Sequence, residues 1–477
     1  MHRRQNLLLS LNVLVAMMFA TVAASGQSYT VMYNFGSKAG DPINPDYSGV
    51  IAQGRDGNLY TTAPLGGGGH GAIFKITPSG TLSIVHSFSG SDGSSPSGGV
   101  TLGRDGNFYG TTQSGGTNSA GTIFRVTPGG TLTTLHDFAG PDGDGPFAPP
   151  IQGTDGNWYG TTISGGANCC GTVYKWTPAG VFTTLYSFDI TDGEGPFAPL
   201  VQASDGSFYG TTFMGGAYGD GEIFKITPAG VFTVVHAFDI NDGEQPYGPL
   251  IQANDGFLYG TTAIGGRYGG GVVFRISLAG TFTLLRSMIN VTYGSVPFEG
   301  VIQASDGNFY GANNGGGAGK GQGAAGTIFE MTPKYVVSPI FDFTLAEGGS
   351  PFAALLQHTN GILYGDTYQG GSGNVSPCKT EACGVFYSFS ANLPVFVRAL
   401  PNFGKVGSKI GILGQGFSAS SVVLFNGVPA TAVTRTGTTF LLATVPAGAS
   451  DGYVTVTTGT TTLKSLKKFT VHSSSSQ

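Results

Sequence analysis

The residues best suited to chemistry recur in step along this chain. Acids pair at Asp142 and Asp144, at Asp192 and Glu194, and at Asp242 and Glu244. Clustered carboxylate oxygens can hold calcium, an ion that takes about six to eight oxygen ligands. They can equally serve only their own turns, and the surroundings lack the fuller patterns of known calcium loops. An aromatic follows the proline after each pair, at Phe147, Phe197 and Tyr247, and again at Phe298 and Phe352. Such rings can stack on sugars or pack between neighbouring units. Tyr218 and Tyr268 lie in glycine-rich loops and are freer candidates. The candidate ligand set is therefore these seven rings together with Asp144, Glu194 and Glu244. His86, His136 and His236 share one repeat position with Tyr33, Tyr186, Arg286 and Phe341. A position that accepts such different side chains reads as structural.

No reaction is written here. The chain has no His-Glu-x-x-His and no phosphate-binding loop. An active site needs unlike groups converging in one cleft, and near-identical loops do not single out a catalytic pair. Calcium is the one cofactor the acids suggest. Lys and Arg total 22 against 27 Asp and Glu, giving a net charge of −5. That balance offers no basic surface for nucleic acid.

The frame that positions these residues is a repeat. Asp-Gly-x-aromatic/Leu-Tyr recurs with its Asp at 56, 105, 155, 205, 255 and 306, and Asn360 heads a seventh copy. One copy, residues 196–246, accommodates four strands: Pro199–Ala203, Phe208–Thr212, Glu222–Thr227 and Val231–Phe238. Each run is short and bounded by Gly, Pro or Asp, as hairpin strands are. The chain carries 82 glycines and 12% aromatics but only 10% charged residues, which suits many short strands and tight turns. Four antiparallel strands per unit of about fifty residues, taken seven times, predict a β-propeller.

The ends of the repeat region extend that reading. The seventh copy has Ala354–Gln357, Leu363–Thr367 and Val385–Phe389, then turns into Asn392-Leu393-Pro394 with no fourth strand. Tyr29-Thr30-Val31-Met32-Tyr33-Asn34-Phe35, ahead of the first copy, matches the missing strand. The expected fold is thus all-β: a seven-bladed propeller over 27–391 closed by an N-terminal strand, which removes aggregation-prone sheet edges. Within each unit the Asp-Gly and Pro-x-Gly turns barely vary. The loop from Tyr to the next strand's aromatic lengthens from 14 residues in the first unit (60 to 74) to 22 in the seventh (364 to 386). Variable loops on a rigid scaffold are where specificity usually lives, so any ligand site is expected on that face.

Asp155-Gly156-Asn157-Trp158-Tyr159-Gly160-Thr161-Thr162, Gly165-Gly166 and Gly171-Thr172-Val173-Tyr174 resemble the Gloeo/Verruco tandem repeat over about residues 29–391. The first copy departs, since Tyr60-Thr61-Thr62 lacks the glycine after Tyr. The resemblance implies export and a surface role, and brings no catalytic residues. Gly411-Ile412-Leu413-Gly414-Gln415-Gly416-Phe417, Val422-Val423-Leu424-Phe425-Asn426-Gly427 and Gly452-Tyr453-Val454-Thr455-Val456 resemble an IPT/TIG domain. That implies an immunoglobulin-like sandwich over 392–472, and about seven short alternating strands read independently agree.

Residues 1–26 read as a secretory signal: His2, Arg3 and Arg4, an apolar run from Leu7, then Ala23-Ala24-Ser25-Gly26. The remaining alternative is a retained anchor. No other stretch has the roughly 18 apolar residues of a spanning helix, and 473–477 is a polar tail. Cys169–Cys170 and Cys378–Cys383 lie in variable loops and are expected to staple them in an oxidising compartment, although the adjacent pair can also stay as thiols. The sequence therefore predicts a secreted or cell-surface monomer. Its expected role is non-enzymatic binding of an extracellular or envelope polymer such as carbohydrate. The alternatives are a carbohydrate-active hydrolase or lyase using the acids, and a purely structural component.

Overall fold

The computed structural model describes residues 26–45, 49–317, 325–373, 378 and 383–472. The expected signal up to residue 25, the segment between Cys378 and Cys383, and the tail 473–477 lie outside them. The described chain is all-β, with one helical turn at Asn290–Tyr293 among its strands. Over the repeats, six four-stranded antiparallel sheets and one five-stranded sheet follow one another.

The recurrent Asp is a turn-builder. In the fourth sheet Asp205 accepts the Ser207 N–H at 3.0 Å and the Tyr209 hydroxyl at 2.9 Å. The same Tyr-to-Asp bond recurs at Tyr60, Tyr109, Tyr159, Tyr259 and Tyr310. Burial and the adjoining carboxylate both push the pKa of these tyrosines up, so each hydroxyl stays a donor. The glycine after Tyr makes room: a Cβ at Gly210 would meet the Phe224 ring at 2.5 Å, and one at Gly260 the Phe274 ring at 2.6 Å.

The second, third and outer strands, Phe208–Thr212, Glu222–Ile226 and Phe232–Ala237, fall within a residue of their expected bounds. The inner strand does not. Only Val201–Gln202 joins the ladder, because Pro199 has no N–H to donate. Gln202 instead reaches sideways: its Oε1 accepts the Thr154 N–H of the preceding sheet at 2.7 Å, while its Nε2 donates to Gly206 O. Gln152, Gln252, Gln303 and Gln357 accept from Arg104, Ser204, Asn254 and Ser305 in the same way. Gln53 of the first sheet accepts the Thr359 N–H of the last at 3.0 Å. Leu102 has no amide to offer, and there the Arg55 guanidinium spans to Arg104 O at 2.5 Å. Contact therefore passes from each sheet to the next and from the last back to the first. Gln202→Leu is expected to destabilise the protein by about 1 kcal/mol in urea or thermal melts, the usual net worth of such a bond.

The seventh sheet is assembled from both ends of the repeat region. Ser28–Asn34 pairs antiparallel with Val385–Ser390, Ser28 opposite Ser390 and Asn34 opposite Val385. Its register shifts between Val31 and Tyr33, the same bulge that the outer strands of the other sheets carry, as between Ile223 and Phe224. Tyr29 stacks on Phe341 at 4.3 Å between ring centroids and donates to Glu347 O at 2.6 Å. One buried cluster joins Ile51, Leu59 and Phe74 of the first sheet to Phe35, Tyr364 and Phe386 of the last. An unforeseen short strand, Gly349–Pro351, pairs with the far end of Leu363–Gln369.

From Arg398 onward two four-stranded sheets enclose a separate core around Ile412, Phe425, Leu441 and Val456. A parallel pair, Phe403–Lys405 with Thr470–His472, ties the first strands to the last.

Candidate functional site

The expected aromatic faces mostly meet one another. Phe197 stacks on Tyr247 at 4.9 Å, Phe147 meets Phe197 edge-on at 5.3 Å, and Phe298 stacks on Phe352 at 5.3 Å. Tyr247 links the two groups through Phe298 at 5.4 Å. Phe147 also contacts Tyr247, two repeats away, at 6.3 Å, so the rings converge on the middle of this face. Phe147, Tyr247 and Phe352 are buried in that stack, while Phe197 and Phe298 keep part of their surface. Tyr218 and Tyr268, in the variable loops, are 67% and 53% exposed.

The acid pairs divide their labour. Asp142 and Asp242 are bonded by His136 and His236 at 2.8 and 3.0 Å, and Asp192 by the Tyr186 hydroxyl. Each also accepts a backbone N–H of its own turn, as from Ala139 and Asp189. Those acids and histidines hold turns together. Of the second acids Glu194 is exposed while Asp144 and Glu244 are half-buried; the Glu194 N–H donates to Met214 O and the Glu244 N–H to Ile264 O, which pins the backbone beside the variable loop. Asp144 is held likewise against Ser164. Burial and the nearby Asp220 raise the Glu244 pKa. Among the described residues no three His, Cys, Asp or Glu side chains converge as a metal site.

Both cysteine pairs are disulfides in these loops. Cys170 is buried and its carbonyl accepts the Gly195 N–H at 3.1 Å, joining one variable loop to the next connection.

The sandwich sits on the opposite side, against the Asp-Gly turns. Thr439 Oγ1 donates to Arg55 O at 2.7 Å, Gln415 Nε2 to Thr359 Oγ1 at 2.9 Å, and Ser305 Oγ to Pro394 O at 2.8 Å. The Arg55 and Arg104 guanidiniums lie over Phe440 and Phe403 at 4.5 and 5.0 Å. His358, buried against Gly57 O at 3.0 Å, is driven down to about 4 by its burial, so it is neutral at this junction. Between the two domains lies a cavity of about 910 Å³. Sequence reasoning missed it, because its walls come from units that gain meaning only when docked. Three lysines within five residues, Lys464, Lys467 and Lys468, in so charge-poor a chain were the available signal.

The model of the Gloeobacter/Verrucomicrobia repeat matches residues 18–148, 45–255, 149–377 and 216–425 in overlapping segments. The chain belongs to that repeat family. This Gloeobacter/Verrucomicrobia repeat protein also matches the IPT/TIG domain over 394–471. No curated protein matches its sequence. Among solved structures it is similar to a fungal alcohol oxidase in complex with copper, at 14% identity and a TM-score of 0.55, covering 93% of this chain and 99% of the other. At that identity the likeness speaks for the fold alone. A gluconolactonase from Xanthomonas campestris aligns at 10% identity with a TM-score of 0.41, over 77% of this chain and 90% of its own.

Proposed function

We propose that the seven sheets are the blades of a closed seven-bladed β-propeller, and that the protein is exported and binds an extracellular or envelope polymer such as carbohydrate through its variable-loop face. The return of the glutamine bonds from Thr359 to Gln53 supports the ring. The observation that carries the binding reading is the seat of the sandwich: it covers the face of constant turns and leaves the face of variable loops clear. On the clear face Tyr218 and Tyr268 stand exposed around a partly open aromatic centre. Rings with one free face suit sugar stacking, because the apolar C–H side of a pyranose packs on them while its hydroxyls stay wet. Both disulfides agree with an oxidising destination.

A glycan array and pull-downs from envelope fractions test this reading. Tyr218→Ala and Tyr268→Ala are each expected to weaken retention about tenfold, the usual cost of losing one exposed stacking ring. Retention that both variants leave unchanged would remove the loop face from the function.

A further inference from the structure

We infer that the cavity between the repeat domain and the sandwich binds a small multivalent anion: a molecule with two or more sulfate, carboxylate or phosphate groups and an apolar face. This site lies on the side away from the variable loops and does not depend on the reading above.

The cavity has two unlike walls. The inner-strand ends contribute Leu102, Ile151, Ile251 and Ile302, an aliphatic floor. Around it stand four cations, Arg104 from a constant turn and Arg398, Lys464 and Lys467 from the sandwich. Among the described lining residues Asp306 is the only carboxylate, and its oxygens are already taken by the Asn308 N–H, the Asn308 amide and the Tyr310 hydroxyl.

None of the four cations has an acid within ion-pair distance among the described residues. Arg104 donates to Gly153 O and Arg398 to Gln357 O, at 2.7 and 3.2 Å. The Lys464 ammonium lies over the Tyr453 ring at 3.7 Å. The Lys467 ammonium has no hydrogen-bond partner at all among the described residues. Arg398 is half-buried, and Lys467, though crowded by protein, stays exposed; both line the cavity, which is open to solvent. Burial lowers the pKa of both, and the positive charge of Arg398 lowers Lys467 further.

Like charges gathered in one site repel each other unless something neutralises them. The one acid in the wall, Asp306, does so only in part against four cations. A bound anion does it reversibly, with charge-assisted bonds as the gain. The volume of about 910 Å³ falls within the range of small-ligand sites, roughly 300–1,000 Å³.

The test is calorimetry and thermal shift on the full chain with sucrose octasulfate, trigalacturonate and inorganic pyrophosphate, with neutral sucrose as control. At least one anion should bind and raise Tm, and the three arms separate sulfate, carboxylate and phosphate. Affinity should fall as salt rises. Lys467→Gln and Lys464→Gln should each weaken binding about tenfold, the value of one charge-assisted bond, while Lys225→Gln, remote from the cavity, should not. Without ligand, Lys467→Gln should melt higher than the parent, since it removes a repelled charge. Tyr218→Ala and Tyr268→Ala should leave anion binding intact, which separates this site from the loop face. No binding by any anion, equal binding by sucrose, or parental affinity in both lysine variants would overturn the inference.

Discussion

A chain that begins at Gly36 is expected to lose the cooperative melting of the repeat domain and to elute as aggregates. The deleted strand Ser28–Asn34 is the outer strand of the last sheet and pairs along the whole of Val385–Ser390. With it go the Tyr29 stack on Phe341, the Tyr29 bond to Glu347 O, and the buried Phe35 beside Phe74. Each aromatic lost from such a site costs about 3–5 kcal/mol, and two together rival the roughly 5–15 kcal/mol that stabilises a typical domain. The truncation also bares Val385-Phe386-Tyr387-Ser388-Phe389-Ser390, an uncharged, aromatic edge of the kind that recruits other chains. Size-exclusion chromatography and calorimetry read the outcome. A monomer with the parental transition would mean that the N-terminal strand is dispensable and that the proposed ring does not depend on it.

The second large effect is a gain. Replacing Glu222 with threonine is expected to stabilise the protein at pH 8 by about 2–3 kcal/mol and to change little at pH 4. Glu222 heads its strand where other sheets have Thr122, Thr172 and Thr327, whose hydroxyls bond the residue opposite at 2.9 Å. Its carboxylate is buried, one oxygen has no partner, and burial with the nearby Asp192 raises its pKa to about 7 from an ordinary 4.5. The folded state therefore keeps a proton that the unfolded chain releases above about 4.5. Stability falls as pH rises through the window from about 4.5 to 7, and the deficit stays constant beyond it. Each pKa unit is worth about 1.4 kcal/mol, so the full shift sets a ceiling of about 3.5 kcal/mol, and partial solvent screening lowers it to the expected size. Threonine has no such proton and restores the hydroxyl pair with Thr212. Melts of both proteins from pH 4 to 8 should diverge with rising pH, and parallel curves would dismiss the ionisation argument.

Local rules carried much of this protein. An Asp that closes its turn on the N–H two residues on and the hydroxyl four residues on works within five residues. The motif therefore marks its hairpin wherever it occurs. Strands flanked by such turns could be placed within a residue, and the N-terminal segment identified as an outer strand from its pattern alone. The inner strands were overdrawn, since proline withdraws donors there and the glutamine amides bond between sheets instead of along them.

The chemistry was less legible for the same reason that the fold was clear: identical units write identical side chains, and only their placement differentiates them. Asp142 and Asp144 look alike in sequence, yet the first is bound by His136 and the second lies against the next loop. Phe147 and Tyr247 read as separate rings on separate units, and the fold turns them into each other's packing partners.

The amino-acid order by itself determined the repeat, its turns, the C-terminal IPT/TIG module and the Cys378–Cys383 staple, because each rests on interactions across a few residues or on a regular pattern. The tertiary structure alone decided which face the sandwich covers, which acids are already committed, and that Arg398 and Lys467 line one cavity. Those outcomes follow from docking whole units, where burial and unpaired charge depend on what arrives from far along the chain.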